Sequence, residues 1–156
     1  SFLSVDAGSS HPTICHFISK SRSGEYIVSR ELRITHTAPS EICRAMGEWY
    51  DEIKKEQGYC IVYVDPAAAW LKDEMTKCGM DWHNAENSHL IGINYIRELL
   101  GTDMILVNRD ECPELVSQFS SYQFKDLNKE DVVKEDDDAI DSCRYGVTTD
   151  NLEHQY

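Results

Sequence analysis

The amino-acid sequence predicts an α/β domain, a mixed sheet with helices on both faces. Three observations predict it. The chain opens with three strand-like runs in succession. It then alternates stretches of helical period with short apolar runs. One of those runs, Cys60 to Val64 (CIVYV), is almost continuously hydrophobic, which suits a strand covered on both faces.

The elements follow in order. Phe2 to Val5, Thr13 to Ser19 and Tyr26 to Thr35 read as strands, the last two joined by the polar turn Ser21-Arg22-Ser23-Gly24, so the opening is an antiparallel meander. From Pro39 to Glu56, Ile42, Ala45, Met46, Trp49 and Ile53 recur at spacings of three and four, an amphipathic helix stopped by Gly58. The strand Cys60 to Val64 ends in Asp65-Pro66, and a helix is expected from Pro66 to Lys77 with Gly79 beyond it. Trp82 to Asn87 reads as a polar connection, Ser88 to Leu100 as a helix stopped by Gly101, and Met104 to Val107 as a strand. Helices at Pro113 to Phe124 and Ala139 to Val147 complete the pattern, and the polar tail from Thr148 to Tyr156 is expected to fray. No repeat or linker divides the 156 residues, which read as a single domain. The chain starts at Ser1 within a strand, which suggests a domain excised from something longer.

Composition bounds the function. The 28 acidic against 15 basic residues leave a net charge of −13, which argues against holding nucleic acid on a broad basic surface. Approach to phosphate through bound cations stays open. Lys20, Arg22, Arg30 and Arg33 on the meander, with Arg109 after a later strand, offer a local basic rim or simply a solvated hairpin. The six scattered cysteines form no CxxC pair or Cys/His ladder, so the pattern points to free thiols in a reducing compartment rather than a zinc site. No apolar stretch approaches the roughly 20 residues of a membrane span.

Three acidic sites stand at strand ends or helix starts. Asp6 follows the first strand and precedes Ala7-Gly8, where the bland reading is a turn aspartate. Asp65 ends the apolar strand, where a helix N-cap is the competing reading. The third is Lys134 to Gly146 (KEDDDAIDSCRYG), in which Glu135, Asp136, Asp137 and Asp138 run into a helix whose first turn carries Asp141. Residues 138 and 141 face one side of a helix, so their carboxylates converge. Negative charge suits a helix N-terminus, but not four acids in succession and a fifth at this spacing. Like charges so close raise a pKa unless a cation is present. Ligands that are all carboxylates select magnesium or manganese, and two such ions form a clamp for in-line phosphodiester cleavage, one of them generating hydroxide. No nucleophile elbow competes with that chemistry. The histidines read as scattered imidazoles, with His11 nearest Asp6 in sequence.

These motifs resemble the C-terminal nuclease domain of the large terminase subunit of tailed bacteriophages, in the ribonuclease H-like (RNase H-like) superfamily. The likeness is carried by SVDAGSSHPT at Ser4 to Thr13, CIVYVDPAA at Cys60 to Ala68 and VVKEDDDAIDSCRYG at Val132 to Gly146, the last similar to a closing D-A-x-D-A-x-R-Y motif, with the helix ELVSQFSSYQF before it. The resemblance implies a central five-stranded mixed sheet with its first three strands antiparallel. It implies Asp6, Asp65 and Asp141 as a metal-binding catalytic triad, with Asp138, which stands where many relatives carry His, as an auxiliary ligand and Asp137 as a secondary candidate. Arg144 and Tyr145 are expected to pack or anchor the last helix.

The activity implied is a Mg2+- or Mn2+-dependent endonuclease, using two ions, that cuts concatemeric double-stranded DNA during packaging in the host cytoplasm. The partners implied are double-stranded DNA, the packaging ATPase domain, the portal and the small terminase subunit. This chain lacks the G-x-x-x-x-G-K-[ST] loop of the motor itself. The competing readings are a junction resolvase or transposase-type nuclease, a non-catalytic phosphate-binding half domain, and a domain that keeps its acids only as helix caps.

Overall fold

A computed structural model describes residues 1–8, 10–35, 37–126 and 137–154. The elements run β1 (Phe2–Asp6), β2 (Thr13–Lys20), β3 (Tyr26–Ile34), α1 (Pro39–Gln57), β4 (Val62–Val64), α2 (Ala69–Lys77), β5 (Trp82–Asn84), α3 (His89–Gly101), β6 (Ile105–Val107), α4 (Pro113–Asp126) and α5 (Asp138–Glu153). The described strands form one mixed sheet in the order β5-β4-β1-β2-β3-β6. β1, β2 and β3 pair antiparallel, as the meander predicts, while β4 runs parallel to β1, β5 to β4 and β6 to β3.

The period-2 alternation of β1 divides the core. Leu3 and Val5 face α1 and α2, packing with Cys15, Ile42, Met46, Val62 and Leu71. Phe2 faces the other way, into a core with Tyr26, Tyr63, Ile96, Leu115 and Ile140 beneath α3, α4 and α5. Ser4 and Asp6 are in phase with Phe2 and so belong to the α5 face. α1 buries Ile42, Cys43, Met46, Tyr50 and Ile53, and Gly58 ends it at φ 90° with its N–H on the Lys54 carbonyl.

The sheet has six strands among the described residues where five are expected. The addition is β5, which the sequence reads as part of a polar connection. It is an edge strand of only three residues, Trp-His-Asn, with no apolar alternation to betray it. Its order comes from backbone pairing, flanked by Val62 N–H to Asp81 O at 2.9 Å and Ala85 N–H to Val64 O at 2.8 Å. α2 begins at Ala69 rather than Pro66, because Asp65 to Ala68 is spent on a turn closed by the Ala68 N–H on the Asp65 carbonyl.

The largest departure is at the C-terminus. Thr148, Thr149 and Asp150 are buried inside α5, not part of a fraying tail. Thr149, Asp150 and the following Glu153 have fixed partners. Tyr26 donates to Asp150 Oδ2 at 2.9 Å, Tyr63 donates to Glu153 Oε2 at 3.0 Å, and the Thr149 hydroxyl oxygen accepts the Glu86 N–H at 2.9 Å. Buried polar groups are tolerable when hydrogen-bonded, and local sequence cannot announce partners 60 to 125 residues away. α5 lies close on β1 because Gly146 has no side chain; a Cβ there would come within 2.6 Å of the Ser4 Cβ.

Candidate functional site

Parallel pairing creates the site. The register Val5↔Val64 carries β1 and β4 to a common edge, so Asp6 ends one strand and Asp65 directly follows the other, with the backbones about 4.8 Å apart. Asp65 is two residues beyond Tyr63, which lies in the α5-side core, so alternation turns both carboxylates toward α5. α5 crosses β1 with Gly146 on Phe2 and Ser4, and its first turn brings Asp138 and Asp141 toward Asp6.

Asp6 is only 6% exposed. Burial first, and then the charges of Asp141, Asp138, Asp65 and Asp137, push its carboxyl up to about 8. All five acids expected from the sequence therefore share one electrostatic field. Glu135 and Asp136 lie outside the described residues, as do Ser9 of the first motif and the last two residues of the tail.

Asp65 and Asp141 are individually tethered. Asp65 Oδ1 accepts the Ala67 N–H at 3.0 Å, an Asx turn, so the residue is not a helix N-cap. Its Oδ2 receives the Tyr145 hydroxyl at 3.4 Å, and Tyr145 is kept protonated by burial and by Asp6, Asp141 and Asp65 around it. Arg144, 3% exposed, donates to Asp141 Oδ1 at 3.1 Å and to the Ser88 carbonyl at 3.3 Å, and stacks on the Tyr145 ring. Its side chain runs through the space that Gly92 leaves, where a Cβ would meet the Arg144 Cγ and Cδ at 2.6 Å. Arg144 and Tyr145 thus anchor α5, as expected, to Ser88 and to Asp65 respectively, and Arg144 also holds Asp141. His11 Nδ1 stands 3.7 Å from Asp138 Oδ1, and His11 also walls a cavity of about 210 Å³ with Gly8, Thr13, Ile34 and Trp70.

The acids at the start of α5 are not spent on capping. Asp137 at the N-cap makes no side-chain capping bond; Gln118 of α4 does that work, its Oε1 accepting the N–H groups of Ala139 and Ile140 at 2.9 and 3.1 Å. The basic rim does not converge on the acids. Arg30 pairs with Glu52 at 2.9 Å, and Lys20 lies over the Tyr26 ring at the opposite end of the meander from Asp6. Arg33, opposite Ile14 in the register that pairs Ile14 with Asp6, is the member of the rim at the acidic end of the sheet.

Among the described residues no three His, Cys, Asp or Glu side chains form a group ready to hold a metal ion. The donor set nonetheless fits a hard divalent cation. It is made of carboxylate oxygens, and the Asp6 carboxyl is raised to about 8 by burial and then by neighbouring negative charges, which a cation would offset. The buried cysteines offer no thiolate nucleophile, because burial pushes the thiols of Cys15, Cys43, Cys60, Cys112 and Cys143 up, Cys60 and Cys112 to about 12.

No family model and no curated protein matches the chain. Solved structures do. The large terminase of the thermophilic bacteriophage D6E is 25% identical with a TM-score of 0.81, over 95% of this chain and 39% of that one. The large terminase nuclease domain of bacteriophage P22 is 18% identical with a TM-score of 0.76, covering 96% and 80% of the two chains. That of bacteriophage SPP1, solved with bound Mn, is 13% identical with a TM-score of 0.68, covering 96% and 87%. The yeast mitochondrial Holliday junction resolvase Ydc2 shares the fold more distantly, at 13% identity and a TM-score of 0.55 over 99% and 80%. The fold is the one that these terminase nuclease domains and the resolvase share. The chain has the architecture of a phage large-terminase nuclease domain, and spans 39% of the D6E terminase that it matches.

Proposed function

We propose that the chain is a divalent-metal-dependent DNA endonuclease of a viral packaging terminase. The likeness to terminase nuclease domains supports the enzyme class, and the Mn in the SPP1 domain supports the kind of ion. The observation that carries the reading is Asp6 at the shared edge of β1 and β4, raised to about 8 by burial and then by four further acids around it. Asp6, Asp65 and Asp141 are the ligands assigned, with Asp138 auxiliary and Asp137 secondary, for two Mg2+ or Mn2+ ions.

Bound there, the ions supply charge neutralisation of a scissile phosphate and a water acidified for in-line attack. The chain's own part is orientation. β1 fixes Asp6, the Asx turn and Tyr145 hold Asp65, and Arg144 holds Asp141. The substrate proposed is concatemeric double-stranded DNA, cut in the host cytoplasm. The packaging ATPase domain, portal and small terminase subunit are the proposed partners.

Asp65→Ala is expected to abolish plasmid nicking in Mn2+ while leaving the circular dichroism spectrum unchanged; full activity in that variant would remove the mechanism. The resolvase reading keeps one supporting observation, the likeness to Ydc2. It predicts preferential cleavage of four-way junctions over linear duplex, whereas the packaging reading predicts no such preference.

A further inference from the structure

A second buried polar cluster lies behind the acidic edge. On β2, His16 is completely enclosed, and so is Ser142 of α5. The Glu31 side chain on β3 is 2% exposed. His16 Nδ1 stands 3.0 Å from Ser142 Oγ, and Nε2 stands 2.7 Å from Glu31 Oε2. Glu31 also accepts the N–H groups of Glu114 and Leu115 at 2.8 and 3.0 Å, capping α4. At the other end Ser142 donates to the Ser4 carbonyl at 3.0 Å, and the Ser4 hydroxyl donates back to the Ser142 carbonyl.

The order serine, histidine, carboxylate is that of a hydrolytic relay, but its setting excludes that use. Enclosure leaves no path for a substrate, and the Ser142 hydrogen is committed to a backbone carbonyl. His16 thus bridges Ser142 on α5 and Glu31 on β3 through its two ring nitrogens.

The attachments indicate what the cluster is for. Ser142 adjoins Asp141, and Ser4 precedes Asp6 by two residues on the same face of β1. α4, capped by Glu31, in turn caps α5 through Gln118. We propose that Glu31, His16 and Ser142 form a positioning relay that fixes the start of α5 over β1, and with it the placement of Asp138 and Asp141 relative to Asp6. The proposal rests on the metal-site reading above. None of the three touches the reacting atoms; they act through the helix that carries the carboxylates. Groups that orient metal ligands affect affinity by about 10- to 100-fold when altered.

The test is calorimetric titration of the 156-residue chain with Mn2+ alone, for the unaltered protein, Glu31→Gln and Ser142→Ala. A Mn2+ dissociation constant raised about tenfold or more in both folded variants is expected, and an unchanged constant would overturn the relay. If Glu31→Gln fails to fold, Ser142→Ala, which removes a single oxygen, decides the matter. Amide spectra recorded without metal give an independent readout. Glu31→Gln is expected to shift the amides of residues 138–141 across the relay, and shifts confined to β3 and α4 would overturn it. An unaltered chain with no saturable Mn2+ site would instead defeat the metal reading, while the amide readout still decides the relay.

Discussion

Asp6 stores the conflict on which the proposed chemistry depends. Its carboxyl titrates near 8 in the folded chain, against about 4 when unfolded. Between those values the folded state holds a proton that the unfolded state has lost, so metal-free stability is expected to fall as pH rises from about 4 to about 8 and then level off. Asp6→Asn removes the charge. It should raise metal-free stability at pH 8 by about 1 kcal/mol or more, since each unit of pKa is worth about 1.4 kcal/mol, and so raise the melting temperature there, with little effect at pH 4. The same change should abolish the stabilisation that Mn2+ confers on the unaltered chain. Thermal melts at the two pH values, with and without Mn2+, check both. A variant no more stable at pH 8 than the unaltered chain would show that Asp6 carries no such burden.

At the scale of elements, α5 matters most, because it supplies Asp138 and Asp141 and, through Arg144 and Tyr145, restrains Asp141 and Asp65. Its seat on β1 depends on Gly146. In an open helix, glycine to alanine gains up to about 1 kcal/mol of propensity. Here the added Cβ would sit 2.6 Å from the Cβ of Ser4, which is fully buried on the central strand and cannot swing aside. Overpacking of this kind costs about 1–3 kcal/mol, so the sign reverses. Gly146→Ala is expected to lower the denaturation midpoint and weaken Mn2+ binding together, as the helix is lifted off the strand; a midpoint above that of the unaltered chain would contradict this packing. Gly92 plays the matching part on α3, leaving the corridor that Arg144 occupies.

At the scale of the whole molecule the net charge of −13 has to be reconciled with a polyanionic substrate. Arg30 and Arg33 on the meander are drawn to Glu52 and Glu114 rather than gathered around the acids. Duplex DNA is therefore expected to bind the chain weakly in EDTA, more tightly with Mn2+, and to be released by modest salt. Fluorescence anisotropy would check this, and tight binding in EDTA at physiological salt would contradict it. Much of this molecule is legible without coordinates. The meander, α1, β4 and the three acidic motifs announce themselves by period-2 and period-3.6 patterns and by carboxylates at strand ends, because those signals are local. β5 is not legible, since Trp-His-Asn on an edge shows no apolar alternation and joins the sheet by pairing with β4. The last turns of α5 look like a tail because Asp150 and Glu153 find Tyr26 and Tyr63 only after folding. His16, Glu31 and Ser142 carry no motif, and their meeting depends on β-pairing register and on where α5 crosses β1. By itself the sequence determined most of the elements and which acids could carry chemistry, through short-range periodicity and charge. Only the tertiary structure decided that those acids meet, which side chains tether them and which helix holds them in place, because these depend on contacts between residues far apart in the chain.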